Sequence, residues 1–397
     1  MTLETYDTVV ICSYARTPLG SFQGALSSVK TTELGAVAVR AAVARAGLAP
    51  ERLEQIIVGC VLPGGPGHAP APQAARGAGP PISAEATTVN KMCGSGMQAA
   101  IMAHDALKAG SAEVIVAGGM ESMSNPPYLM GKNRSGSRIG HDTISDSMYL
   151  DGLEDAYEPG KLMGVFAEDS ARDYQFTRQA MDDYALASLT KAKRASDSGA
   201  FDREIVPVEV KTRKGAETVA HDEQPGKANP AKIPSLKPAF AKDGAITAAN
   251  ASSISDGAAA LVMTRESVAK RLHMPILGKV VAHAAHAQEP SKFPTAPVPA
   301  MRKVLEKAGW SVDEVDLFEV NEAFAAVAMI AAKELGIPYD KLNIHGGACA
   351  LGHPIGASGA RVIATLLSAL EQTGGEKGVA SLCIGGGEGI AIAIERV

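Results

Sequence analysis

Asn90-Lys91-Met92-Cys93-Gly94-Ser95-Gly96-Met97-Gln98-Ala99 opens an Ala-rich run that continues to Ala109, and the apolar Val114-Ile115-Val116-Ala117-Gly118 follows. A Gly-rich turn, a helix over 95–109 and a buried strand over 114–118 form a unit in which strands alternate with covering helices. Upstream, the pattern gives a strand over 8–12, a helix over 31–46 and a strand over 55–61. The last third repeats the arrangement: helix 296–308, strand 316–320, helix 322–335, strand 342–345, helix 357–372 and strands 378–383 and 389–395. Continuous apolar strands between helices predict a mostly parallel α/β sheet covered on both faces.

Three features recur in the same order in both halves, which points to internal duplication. Ile56-Ile57-Val58-Gly59-Cys60 corresponds to Leu317-Phe318-Glu319-Val320-Asn321. Cys93-Gly94-Ser95-Gly96 opens an Ala-rich helix, as Gly352-His353-Pro354-Ile355-Gly356 does later. The strands ending at Ala117 and Cys383 both run into glycines. Between the halves, residues 122–245 differ in composition, with one long helix over 170–195 and a Pro- and Lys-rich stretch, and read as an insertion.

At 397 residues the chain has room for two or three domains of about 150 residues each. It has 38 basic and 43 acidic side chains, net −5, and lacks the basic excess that grips nucleic acid or an anionic membrane. The charge is uneven: 188–242 carries +4, leaving −9 on the rest. Five widely spaced cysteines are not a disulfide framework and imply a reducing compartment. With acids at Glu4 and Asp7, where a targeting peptide would carry bases, the expected location is the cytoplasm.

Cys93 lies where a Gly-rich turn meets a helix start, so backbone N–H groups and the helix dipole are expected to favour its thiolate and lower its pKa. The same N–H groups suit an oxyanion forming beside the sulfur. His353, held in a turn by flanking glycines and Pro354, is the best base in the chain. Cys383 ends an apolar strand before Gly385-Gly386-Gly387, where a substrate can approach closely. Asn321 reads as a helix N-cap able also to hold a water. Two cysteines and a histidine fit acyl transfer with activation of a carbon acid. Zinc is not expected, because neither cysteine has a second Cys or His at ligand spacing.

Four motifs in order, Asn90-Lys91-Met92-Cys93-Gly94-Ser95-Gly96-Met97, Asn321-Glu322-Ala323-Phe324, Gly352-His353-Pro354-Ile355-Gly356 and Cys383-Ile384-Gly385-Gly386-Gly387, resemble those of the thiolases along essentially the whole chain. The resemblance implies a thiolase fold of two βαβαβαββ halves in a layered α-β-α-β-α core. Its N-terminal half is 1–121 with 246–275, its inserted CoA-binding loop domain 122–245 and its C-terminal half 276–397. It implies Claisen condensation of acetyl-CoA to acetoacetyl-CoA, or thiolysis of a 3-ketoacyl-CoA, with a longer-chain degradative thiolase as the alternative. A ketoacyl synthase and a non-catalytic lipid carrier are weaker readings, the first because Cys383 stands where synthases use His or Asn.

By the same resemblance Cys93 is the acyl-carrying nucleophile, His353 its activator, and Cys383 the proton acceptor and donor. One oxyanion hole combines His353 with a water on Asn321, and the other uses the N–H groups of Cys93 and Gly385. Ser252, Met163, Leu162, Phe293, Phe324 and Lys227 are the implied substrate and CoA contacts. Leu162 and Phe293 depart from residues common in acetoacetyl-CoA thiolases and imply an acyl pocket of altered shape. Partners implied are acetyl-CoA, acyl-CoA and CoA as substrates, with no bound cofactor or metal, in a homodimer or homotetramer.

Overall fold

The computed structural model describes residues 7–213 and 215–397. The first half runs β1 (Val9–Arg16), α1 (Thr31–Arg45), β2 (Gln55–Gly59), α2 (Pro70–Ala78), β3 (Glu85–Val89), α3 (Ser95–Ala109) and β4 (Val114–Ser122). Its last strand, β5 (Ser255–Arg265), comes only after α4 (Met163–Asp173), α5 (Arg178–Asp197) and a hairpin of Val208–Thr212 with Gly215–Val219. The second half is β6 (Gly278–Ala287), α6 (Pro297–Ala308), β7 (Leu317–Val320), α7 (Ala325–Leu335), α8 (Ser358–Thr373), β8 (Lys377–Ile384) and β9 (Glu388–Arg396).

The strands line up as β7-β8-β9-β6-β1-β5-β4-β2-β3, with a two-residue strand Gly20–Ser21 added on β5. Counted outward from the β1–β6 seam, each half follows one order: first strand, last, fourth, second, third. The duplication read from sequence is therefore a duplication of topology. The third strand of the second half, expected over 342–345, is reduced to a single parallel bridge between Phe318 and Leu342. Neither is the sheet mostly parallel: among the described strands only β2–β3, β2–β4 and β7–β8 pair that way, while β1–β5, β1–β6, β4–β5, β6–β9 and β8–β9 are antiparallel. In β8–β9 the turn is made by Gly386 and Gly387 at φ +93° and +92°.

Alternate residues of each strand feed different cores. In β1, Val9 and Ile11 face a layer containing Met97 and Ile101 of α3 and Ile363 and Leu367 of α8, while Val10 and Cys12 face α1. On the far side of the second half's strands, Ala391 and Ala393 pack with α6 and α7. The order is α1 and α2, the first half's strands, α3 and α8, the second half's strands, α6 and α7: five layers with two helices at the centre. Those two helices touch backbone to backbone, since a Cβ on Gly96 would meet Ala360 N at 2.6 Å and one on Gly359 would meet Met97 N at 2.1 Å.

The single helix expected over 170–195 is two helices, broken at 174–177, where Thr177 caps α5 by accepting from Ala180 N at 3.1 Å. The inserted segment is tied to β1 through Arg16, fully buried, which donates to Glu204 at 2.7 Å and to both oxygens of Asp222 at 2.7 and 2.8 Å. Removing one partner of such a node costs about 3–5 kcal/mol, because it leaves an uncompensated buried charge. No helix among the described residues is long and apolar enough to cross a membrane.

Candidate active site

The N-terminal ends of the two central helices bring the reactive residues together. Cys93 stands two residues before α3, in a segment bent by Met92 at φ +45°. A non-glycine residue held there costs about 1–3 kcal/mol, a strain that collects at functional sites. A Cβ on Gly94 would fall 2.4 Å from Ile384 Cδ1, so a larger residue there would push the Ile384 side chain aside. The backbone N–H groups of Cys93 and Gly385 both bond to the Cys93 sulfur and lower its pKa, yet burial is the larger effect and pushes the thiol up to about 11. Here the sequence expectation fails: desolvation outweighs the N–H groups and helix dipole, so no thiolate is preformed.

His353 leads into α8, its N–H bonded to Ser253 O at 3.0 Å. Its Nδ1 lies 2.6 Å from Ser358 Oγ, and that hydroxyl donates its one proton to Pro354 O at 3.0 Å. Ser358 must then accept from Nδ1–H, which leaves Nε2 with a free lone pair. Burial, helped by the nearby Arg361 cation, lowers the His353 pKa to about 3, so the ring is neutral at physiological pH. The resting pair is thiol and imidazole.

Asn321 does not cap a helix. The helix expected from 322 begins at Ala325 with Phe324 at the cap, while Asn321 N–H extends the strand pattern onto Ser381 O at 2.9 Å. Its Nδ2 lies 3.4 Å from His353 Nε2 and 3.5 Å from Nδ1. The amide is oriented by Arg361, which donates to Asn321 Oδ1 at 3.3 Å and to Glu319 at 2.7 Å. Cys383 is fully buried near the end of β8, its thiol pushed well above its ordinary value by burial and, secondly, by negative charge on Cys93. The two sulfurs therefore share one electrostatic environment.

Glu121, at the end of β4, accepts from Val61 N at 2.9 Å, Leu62 N at 3.1 Å and Gly356 N at 2.9 Å. One buried carboxylate thus ties the first half to the His353 turn. Burial raises its pKa to about 7 against those N–H groups. Its contacts were invisible in sequence, as were those of Ser358 and Arg361. Lys91 pairs with Glu388 and links the Cys93 loop to the start of β9.

Of the expected substrate contacts, Phe293 and Phe324 share one apolar cluster with Cys383, and Met163 packs against it. Met163 also faces Gly385, where an added Cβ would lie 3.1 Å from its sulfur. Ser252 N–H bonds to Ala323 O at 2.9 Å, beside the Asn321 segment. Leu162 is half-buried at the start of α4, bridged to Glu154. Lys227 stands apart from the sulfurs, exposed and paired with Glu223. It lines a groove of about 320 Å³ with Lys232, Leu236, Ser253 and Cys349. The groove ends at Ser253, whose carbonyl holds His353.

Residues 9–267 match the family description "Thiolase, N-terminal domain" and residues 274–396 "Thiolase, C-terminal domain". The acetyl-CoA acetyltransferase of Allochromatium vinosum is 44% identical over 98% of this chain and 100% of its own length. The mouse cytosolic acetyl-CoA acetyltransferase is 46% identical over 98% of both chains. The crystal structure of the Bacillus anthracis acetyl-CoA acetyltransferase superposes with a TM-score of 0.96 at 40% identity, covering 98% of this chain and 99% of that one. The chain belongs to the thiolase family, enzymes that transfer acyl groups.

Proposed function

We propose that the protein is an acetyl-CoA C-acetyltransferase that interconverts two acetyl-CoA molecules with acetoacetyl-CoA and CoA. The observation that carries the reading is that the Cys93 and Cys383 sulfurs share one electrostatic environment at the meeting of the two central helices, the second of which is entered by the neutral ring of His353. Nε2 takes the Cys93 proton as the sulfur attacks the thioester carbonyl. The oxygen, now anionic, is held by the N–H groups of Cys93 and Gly385. Collapse expels CoA as thiolate, which the imidazolium reprotonates.

Cys383 first gives up its thiol proton to solvent; its thiolate then removes a methyl proton from a second acetyl-CoA, to be passed on to the Cys93 thiolate at the end of the cycle, and the enolate oxygen is held by His353 and a water on Asn321. The carbanion attacks the acyl carbon and Cys93 leaves as thiolate. Ser252, Met163, Leu162, Phe293, Phe324 and Lys227 contact the substrate, with the Lys227–Lys232 groove taking the CoA phosphates. No bound cofactor or metal takes part in this scheme. Phe293 and Phe324 occupy the space beside Cys383 and favour short acyl chains over the longer-chain degradative alternative.

The division into halves at 1–121 with 246–275 and 276–397, around a CoA-binding domain at 122–245, belongs to the same proposal. So does a cytoplasmic homodimer or homotetramer, supported by the open outer edge of β3 and by exposed Tyr128, Met130, Ile139 and Ile144. The test is to incubate protein with acetoacetyl-CoA and CoA and follow loss of the enolate absorbance. Turnover with iodoacetamide labelling of Cys93 is expected; neither loss nor labelling would sink the reading. Equal chain-length profiles for the native enzyme and a Phe293→Met, Leu162→His variant would count against the altered pocket.

A further inference from the structure

Far from the sulfurs, helix α3 and strand β6 bring together His104, Asp105 and His283, whose ligand atoms all lie within 4.8 Å of one another. His104 Nδ1 is 2.9 Å and His283 Nε2 3.0 Å from the same oxygen, Asp105 Oδ1. The imidazole rings meet edge to face with centroids 4.9 Å apart, so each fixes the orientation of the other. Their side chains are only 14% and 22% exposed, against 60% for Asp105. We propose that these three side chains form a binding site for a divalent transition-metal ion that clamps the first half of the fold to the second.

Two imidazoles and one carboxylate make an N2O donor set that suits zinc, cobalt or nickel, with the remaining positions open to water. His104 Nδ1 and His283 Nε2 converge on one carboxylate oxygen, and the ion takes the place of any proton shared there. Asp105, the most exposed member, is the one that moves to make room. Lys108, one turn along, is occupied with Asp7 O at 2.8 Å, and Lys307 with the His283 carbonyl at 3.0 Å. His104 lies eleven residues along α3 from Cys93, about 16 Å at the rise of a helix, so the ion is a strap and takes no part in the reaction.

The test titrates the chelator-treated full chain with Co²⁺ and follows absorption and melting temperature together. One equivalent is expected to bind with a visible band, no near-ultraviolet thiolate band and a rise in melting temperature. The His104→Ala, His283→Ala double variant is expected to lose the band and the rise, and Asp105→Asn to weaken binding at least about tenfold, as even outer-shell changes do. Circular dichroism and the melt of the metal-free variants check that they fold. No binding by the native chain, a thiolate band marking ligation at the cysteines, or unchanged binding in the double variant would each overturn the site.

Discussion

Ser358 Oγ sits 2.6 Å from His353 Nδ1 while donating its own proton to Pro354. That arrangement decides which imidazole nitrogen keeps a lone pair, the Nε2 that the proposed mechanism uses as base. Ser358→Ala is expected to lower kcat about 10- to 100-fold, the worth of a hydrogen bond to a group that becomes charged, with little change in KM. Ser358→Thr should restore most of it. Steady-state thiolysis of acetoacetyl-CoA is the measurement, and a change confined to KM would contradict the assignment.

Arg361 and Glu319 form a buried pair, and the same guanidinium orients Asn321. Arg361→Met should destabilise the fold by about 3–5 kcal/mol, because Glu319 is left alone in the core. Adding Glu319→Leu should recover most of that loss in urea unfolding, yet kcat should stay low, since the Asn321 amide no longer has its donor. Recovery of both quantities would mean that Arg361 serves stability alone.

With a Cys93 thiol near 11 and a His353 ring that protonates only near 3, thiolate arises from direct ionisation. The iodoacetamide rate at Cys93 is therefore expected to climb about tenfold per pH unit between roughly pH 6 and 9. A plateau across that range would reveal a thiolate–imidazolium pair.

Two buried groups give stability opposite dependences on pH. His353 falls from an ordinary 6.5 to about 3, so between those values the unfolded chain binds a proton that the native chain does not. Its contribution is complete above about 6.5 and lost as pH falls toward 3. Glu121 rises from 4.5 to about 7, so its contribution is present below 4.5 and lost as pH rises through 7. Urea midpoints across this range should show His353→Asn flattening the acid side and Glu121→Gln the neutral side.

The sequence disclosed most where a local pattern carries its own cause. The helix over 95–109 was read to the residue, because its Gly-rich start and apolar spacing are local. Cys93, His353, Asn321 and Cys383 stood out because each sits beside glycine or a strand end. β5 and β6 were missed, being rich in alanine and poor in strand-favouring residues apart from their valines and Thr264. The reduced strand at 342–345 was expected because its composition suits a strand, but only one bridge forms. Glu121 could not be read at all: its partner Gly356 is 235 residues away, and a buried carboxylate looks like any other until its donors are known. The thiol pKa was misjudged for a related reason, since helix dipoles are visible in a sequence and desolvation is not.

The contact of Gly96 with Gly359 has a consequence for ancestry. Equivalent helices from the two repeats cross there with their leading ends side by side, one preceded by Cys93 and the other by His353. A pair of identical ancestral halves would have offered two equal ends, and division of labour between them then made the repeats unlike. On the proposed mechanism neither repeat holds a whole reaction centre, and two copies of either would bring together two Cys93 or two His353 but never one of each.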